Sequence, residues 1–414
     1  MVHDERFEKR GIVTLSEKQS KKVLIVGAGI GGLTAALCFI QFGWTVELYE
    51  ERRAIEDLGA GIQISPNAMR VYQTLGVDQA LIKAGFLPEA VEMRLLESGR
   101  SLARLALGDS AVQRWGAPYL HIHRADLCAI LADFVEARQS GALRLGHKTV
   151  GYAHTANGAE IILADGQRKA GNLVLGADGI HSVIRLQMLG PQTPRYTGYA
   201  AWRSVVPVAH LGDLAPGPVA GLWLGKNRHG VTYRLRGGAL ANLVAVTESP
   251  EAGAEAWRTK GQLQQALADF QGSHPSLRRL LENSDQLYRW ALYDRAPLPK
   301  WSEAYVVLIG DAAHPMLPFM SQGAAMAIED AWMLAACLDR YDPETALAAY
   351  YRQRRPRTSK LQAQSAANAR SFHRKSLSSQ ILPFMPNLLT RRLLPTIIKS
   401  RFDPVYRYDV TKSL

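Results

Sequence analysis

Cysteine is scarce in this chain. Cys38, Cys128 and Cys337 are spread over 414 positions, too few and too scattered for a disulfide framework or a paired CxxC site. Buried apolar thiols in a reducing cytoplasm are expected. Long hydrophobic runs are missing as well, since no stretch has the length and apolarity that cross a bilayer. The opening MVHDERFEKRGIVTLSEKQSKK mixes charges of both signs and lacks the apolar centre of a secretion signal, so residues 1–20 read as a disordered leader. No metal site is expected: His121 and His123 have no third ligand spaced to join them and read as edge-strand residues.

Excess charge is absent from most of the chain. The net charge is +12, and residues 351–414 hold 14 Lys and Arg against only Asp403 and Asp409, which accounts for all of it. A balanced body therefore carries a basic tail. With 47% hydrophobic and 21% charged residues over this length, the composition is that of an ordinary globular protein of two or three domains.

What is present begins with VLIVGAGIGGLTAAL. The apolar run Val23–Val26 is too short for a helix and is closed by glycine, as in a buried parallel strand. Gly27, Gly29 and Gly32 follow in GxGxxG spacing: the first for a tight turn, the second for close approach of a pyrophosphate, the third for contact between helix and strand. The helix N-terminus then faces the phosphates. Leu33, Ala36, Leu37 and Ile40 form that helix's buried face, and Gly43 separates it from the strand TVELYE. Glu50 ends this strand 23 residues beyond Gly27, where an acid accepts ribose hydroxyls. No second GxGxxG occurs, which argues against separate flavin and nicotinamide Rossmann folds.

Two later segments repeat the strand-then-acid pattern. NLVLGADGIHSVIR places Asp178 and Gly179 after the strand 173–175, and AYVVLIGDAAHPMLPFMSQGAAMAIEDA places Asp311 after the strand 306–309, ahead of a helix over 324–338. Acids and free amides then lie at the carboxyl edge of a sheet, where such folds bind ligands. The plain alternative is that each Asp caps its helix, and that Arg124 makes a surface ion pair. His314 is expected to hydrogen-bond its loop. From about 197 to 295 the pattern changes to short alternating runs broken by Gly and Pro, the mark of an antiparallel sheet, and EMRLLESGRSLARLAL is expected to join it as a strand pair turning at Ser98 and Gly99. In HGVTYRLR alternation puts His229 and Tyr233 on one face. Histidine titrates near neutrality and tyrosine can hydrogen-bond a phenolate, so the pair suits deprotonation of a phenol. The plain alternative is an edge residue and a packed aromatic. Tyr199 and Trp202 read as packing.

Together these segments resemble the single-component, class A FAD-dependent aromatic monooxygenases, with the nearest look to the salicylate, 3-hydroxybenzoate and 6-hydroxynicotinate hydroxylases. GAGIQISPNAMRVYQTLGV, HIHRADL, GADGIHSVIR and HPMLPFMSQGAAMAIEDA carry the resemblance. It implies an α/β fold: a Rossmann-like FAD-binding domain of the para-hydroxybenzoate hydroxylase type, with an inserted antiparallel-sheet substrate domain and C-terminal helices. The boundaries are 21–90, 118–195 and 296–370 for the FAD domain, 91–117 and 196–295 for the sheet domain, and 371–414 for a basic helical tail.

By the same resemblance Gly27, Ala28, Gly29, Gly31, Gly32 and Glu50 hold the ADP half of FAD, and Arg124 binds near its phosphates and ribose. Asp178 and Gly179 serve FAD and the nicotinamide donor, Asp311 takes the ribityl hydroxyls, and the amides of Gly323 and Ala324 face the flavin's pyrimidine edge. His229 and Tyr233 match a His-x-x-x-Tyr that touches substrate in relatives. Gln63, Pro318 and Phe319 are expected at the substrate pocket, although relatives have a polar contact where this chain has apolar Pro318 and Phe319.

The implied reaction uses NADH or NADPH and dioxygen to hydroxylate a small phenolic or heteroaromatic ring through a flavin hydroperoxide. Nucleic acid is not an expected partner. Two other readings compete. Arg391, Arg392, Lys399 and Arg401, set among leucines and isoleucines, suit an anionic membrane, and with apolar 318–320 they suggest a membrane-surface hydroxylase or epoxidase of a lipophile. Proline interruptions favour instead an ordinary helical layer on the FAD domain. The third reading is a non-catalytic flavin-binding interaction protein.

Overall fold

A computed structural model describes residues 21–55, 61–250, 259–372 and 402–413. The expected leader 1–20 and the basic cluster at 391–401 lie outside these residues.

The strand Lys22–Val26 sits inside a six-stranded sheet, with Thr45–Glu50 and then Leu143–Leu145 on one side and Leu173–Gly176, Val306–Leu308 and Ser302–Glu303 on the other. All pairings are parallel except that of the last two strands. Successive connections therefore leave the first strand in opposite directions, which opens a crevice at its carboxyl end. Val23, Leu24 and Ile25 are fully buried, with the helix Ile30–Gln41 packed on the sheet and the strands Gly158–Leu163 and Arg168–Gly171 also packed against it. The helix Ile30–Gln41 lies against the long helix Gly323–Arg340, which spans a little more than the expected 324–338.

A second sheet of eight strands holds the alternating segments. Its order is Thr259–Lys260, Tyr288–Asp294, Arg195–Pro207, Leu240–Glu248, Arg228–Leu235, Val219–Gly225, Ala90–Leu95 and Ser101–Ala106. The expected antiparallel pattern needs one amendment: Ala90–Leu95 joins Val219–Gly225 in parallel, Leu222 opposite Met93. That hairpin arrives from a distant part of the chain, and nothing local in its alternation specifies direction. On the sheet's outer face Leu277, Leu280 and Leu281 of the short helix Pro275–Glu282 pack with Trp202, Trp223 and Leu243. The inner face, with Met93, Ala201, Val246 and Leu292, meets Leu317, Phe319 and Phe372.

Two smaller sheets hold the remaining strands among the described residues: a meander of Thr149–Thr155, Gly158–Leu163 and Arg168–Gly171, and the pair Gly61–Ile64 with Leu120–His123. His121 and His123 do lie in a two-stranded ladder, yet both are buried. Burial lowers the pKa of His121 to about 3, so this imidazole is neutral. No helix among the described residues is long and apolar enough to cross a membrane.

Candidate functional site

At the carboxyl end of the first strand the glycines divide by role. Gly27 has φ +100°, and a Cβ there would come within 2.7 Å of the Ala177 carbonyl oxygen. A Cβ on Gly32 would lie 1.9 Å from the carbonyl oxygen of Gly27, so only glycine lets the helix approach its own strand. Gly29 differs: a Cβ there would meet no protein atom within 4 Å. Its bare backbone faces open space at the helix N-terminus, where the first turn of Ile30–Gln41 carries no acid and no side-chain cap. Glu50 reaches back into this loop, its Oε2 accepting from the Ala28 N–H at 2.8 Å and its Oε1 from the Arg52 N–H at 3.1 Å.

The later motifs converge on the same space. Gly29, Gly31, Arg124, Gly179, Asp311, Gly323 and Ala324 line one cavity of about 540 Å³. Arg124 opens the helix Arg124–Arg138, and its buried Nε has no partner among the described residues. Asp178 accepts the Ile184 N–H through Oδ2 at 3.2 Å, while its buried Oδ1 has no partner among the described residues. Burial raises the pKa of Asp178, against hydrogen bonds from Ser182 and nearby amides. Ser182 is the cap residue of the helix Val183–Leu189, accepting from the Arg185 N–H at 2.9 Å, and Asp178 serves the same first turn through its bond from Ile184. Asp311 lies inside the turn Gly310–Ala312 rather than at a helix start. Its pKa too is raised by burial, opposed by His314, Arg124 and Arg185. Unpaired polar atoms around an open glycine loop suit a large polar ligand with phosphate and hydroxyl groups, and FAD fits that description.

Arg185, which the sequence did not single out, ties two of these loops together. Its guanidinium donates to the carbonyls of Ile180, Asp311 and Ala312. A buried ionic network supports the rest. Asp330 accepts from His314, from the Gly310 N–H at 3.1 Å and from Arg354 Nε at 2.7 Å. Burial alone would raise its pKa, but His314 and Arg354 bring it down to about 2. Beside it Glu329 accepts from Arg354 at 2.6 Å, Arg357 at 2.8 Å and Asn67 at 2.6 Å. Asn67 also donates to Gln322, the residue before the helix that begins at Gly323. The His314 side chain, expected to hydrogen-bond its own loop, bonds instead to Asp330 of the helix Gly323–Arg340, which in turn holds the Gly310 N–H.

The inner face of the eight-stranded sheet closes the cavity. His229, Val231 and Tyr233 line it, as alternation along the strand requires. Thr232 points away and accepts from Trp223 Nε1 at 2.9 Å. His229 is packed between Phe319 and Phe372, both 5.3 Å away between ring centroids. Tyr233 lies 4.7 Å from the ring of His121, and burial holds its hydroxyl protonated well above the usual tyrosine range. Along a strand the two Cα atoms are roughly 13 Å apart, so His229 and Tyr233 mark two ends of one wall. Gln63 lines the cavity too, accepting from the Tyr119 hydroxyl at 3.0 Å. Pro318 and Phe319 form an apolar turn opposite the sheet, held by Ser365 and Asn368.

Arg203 is a charged lining residue that the sequence reading missed. Its guanidinium stacks 4.0 Å from the Trp290 ring, and its Nε is buried with no partner among the described residues. Burial pushes its pKa down to about 10, which leaves it charged at neutral pH. Alternation from Ala201 was the available signal, since it places Arg203 opposite Trp202.

Comparison with known proteins agrees with this geometry. A family model described as "FAD binding domain" matches residues 20–365. The chain is 38% identical over 362 residues to 6-hydroxynicotinate 3-monooxygenase of Pseudomonas fluorescens, covering 84% of this chain and 91% of that protein. It is 32% identical to 3-hydroxybenzoate 6-hydroxylase of Klebsiella oxytoca, covering 87% and 91%. Among solved structures, Klebsiella pneumoniae HpxO complexed with FAD and uric acid superposes with a TM-score of 0.80 at 25% identity, covering 92% of this chain and 96% of that one.

Proposed function

The chain belongs to the FAD-binding family of class A aromatic monooxygenases, and on that premise we propose that it hydroxylates a small phenol or hydroxylated heteroaromatic acid with NADH or NADPH as electron donor. It is an FAD-dependent enzyme, so the reading as a non-catalytic flavin-binding protein falls away. The single observation that carries the proposal is one continuous cavity, with the glycine loop and Asp311 at one side and His229, Tyr233 and Arg203 at the other.

In this reading Gly27, Ala28, Gly29, Gly31, Gly32 and Glu50 hold the adenosine half of FAD, Arg124 its diphosphate, and Asp311 its ribityl hydroxyls. Asp178 and Gly179 border both the cofactor and the nicotinamide donor. The amides of Gly323 and Ala324, at a helix N-terminus without acid in its first turn, favour negative charge on the flavin's pyrimidine edge. The chemistry that FAD supplies when bound is reduction by the donor and activation of dioxygen. The protein's part is to prepare the ring. His229 accepts the phenolic proton, Tyr233 donates a hydrogen bond to an anionic oxygen, and Arg203 offers the positive charge that a phenolate or carboxylate needs in a pocket without bulk water. Phe319, Phe372 and the apolar sheet face keep water out.

We propose domain boundaries of 21–90, 118–195 and 296–370 for FAD and 91–117 and 196–295 for substrate; the two large sheets support them to within one residue, at Ala90 and Arg195. A cytoplasmic setting suits the three buried free thiols. The deciding experiment screens phenols and hydroxylated heteroaromatics for stimulated NADH or NADPH oxidation, with mass spectrometry of the product. Gain of one oxygen atom supports the proposal, whereas donor oxidation that no aromatic compound stimulates sinks it.

A further inference from the structure

The family match ends at residue 365, yet a segment well beyond it reaches the cavity. Residues 402–413 are fastened on by Arg114 and Trp115 of the substrate domain and by Arg70 and Arg357 of the FAD domain. Asp403 accepts from Arg114 at 2.8 and 2.7 Å and from Trp115 Nε1 at 2.8 Å. Arg357 donates to the carbonyls of Pro404 and Val405, and Arg70 to those of Tyr406 and Tyr408. Arg357 also stacks 4.0 Å from the Tyr408 ring. These bonds go mostly to main-chain oxygens, so they fix the path of the backbone whatever side chains it carries.

That path delivers Phe402 and Tyr406 to the cavity, which both of them line. Their rings stack at 5.2 Å with 14° between planes. Tyr406 further packs edge-on against Trp115 and Tyr119, and the Tyr119 hydroxyl donates to Gln63. Gln63 belongs to the strand Gly61–Ile64, whose first amide donates to Asn242 of the substrate sheet at 2.8 Å. Arg357 meanwhile shares its charge with Glu329, at the centre of the network behind Gly310 and Gly323. The C-terminal strap thus joins the cavity's aromatic lining to both halves of the site.

We propose that residues 402–413 form a specificity-determining wall of the active cavity, in which Phe402 and Tyr406 limit the size of the aromatic substrate. The proposal rests on the hydroxylase reading above. Two flat rings held in place by outside clamps admit a single small aromatic ring and exclude a second fused or attached one, because a well-packed wall yields little to added volume.

The test uses the full-length holoenzyme with Phe402→Ala and Tyr406→Ala. Asp403→Ala, which loosens the strap from outside the cavity, serves as a further variant should the alanines fold poorly. Two readouts are taken: iodide quenching of bound-flavin fluorescence, and the relative affinity for 4-phenylphenol against phenol, read from the flavin absorbance change. Quenching is expected to rise several-fold, and the affinity ratio to move ~10-fold or more toward the larger probe. Affinity for FAD should stay within about twofold. Unchanged quenching, or raised quenching with an unchanged ratio, overturns the proposal, and so does release of FAD from the variants, which would make the strap part of the cofactor site. Should the wild type bind neither probe, the substrate reading itself fails, while quenching still decides whether the strap walls the cavity.

Discussion

Glu50 Oε2 accepts the backbone N–H of Ala28 at 2.8 Å. The contact links the end of the second strand to the middle of the glycine loop, so the acid proposed to recognise ribose also shapes the turn proposed to receive the diphosphate. Carboxylates have several acceptor sites, and the two duties are compatible.

Replacing Glu50 by Ala removes both. Hydrogen bonds to charged groups contribute about 1.5–3 kcal/mol, so affinity for FAD should fall roughly 10–100-fold. Fluorescence titration of the apoprotein measures this, and an unchanged dissociation constant would reduce Glu50 to a loop tie.

Gly29 and Gly32 should respond in opposite ways to the same methyl group. Gly32→Ala drives a Cβ into the Gly27 carbonyl, and overpacking of that kind costs about 1–3 kcal/mol or more of stability. Gly29→Ala meets no protein atom and has an ordinary φ of −75°. Its apoprotein should therefore keep its stability to about 0.5 kcal/mol, yet bind FAD more weakly. Denaturation of the apoproteins beside FAD titration separates the two. A Gly29→Ala variant with wild-type cofactor affinity would mean that the diphosphate lies elsewhere.

The proton transfer proposed for His229 predicts a pH signature. In His229→Asn, kcat/KM for a phenolic substrate should drop ~10²–10⁴-fold near neutrality. It should then recover as pH rises and the phenol ionises in solution. Tyr233→Phe and Arg203→Gln should raise KM without that recovery. Loss of activity in His229→Asn that is uniform across pH would assign His229 to packing between Phe319 and Phe372.

Acid sensitivity of the fold should trace partly to His121. Its folded-state pKa of about 3 lies below the ordinary 6.5. The unfolded chain therefore takes up the proton first, and stability falls as pH drops from 6.5 toward 3. At pH 5 the loss from this group is about 2 kcal/mol. His121→Gln should show a smaller fall in melting temperature between pH 7 and pH 5 than the wild type does. Equal falls would assign the acid sensitivity to other groups.

The residues that were legible in the sequence share a property. Gly27, Gly29, Gly32 and Glu50 belong to one strand, turn, helix and strand, and His229 with Tyr233 needs only the two-residue period of a single strand. Arg203 was harder to see. Its strand alternates plainly, but which face looks inward depends on the helix Pro275–Glu282 packing behind Trp202. Nothing local in the sequence marks Glu329, Asp330 and Arg354 as buried, and only the packing of their helices brings all three together.

By itself the sequence determined the nucleotide cradle, the α/β and alternating-strand halves, and the family, because each is written in short segments whose geometry is local. Tertiary structure alone decided the parallel seating of Ala90–Leu95, the cationic Arg203 inside the cavity, and the arrival of Phe402 and Tyr406 at its wall. Those features depend on partners far apart in the chain, and their positions are set by which surfaces can be buried together rather than by any neighbouring residue.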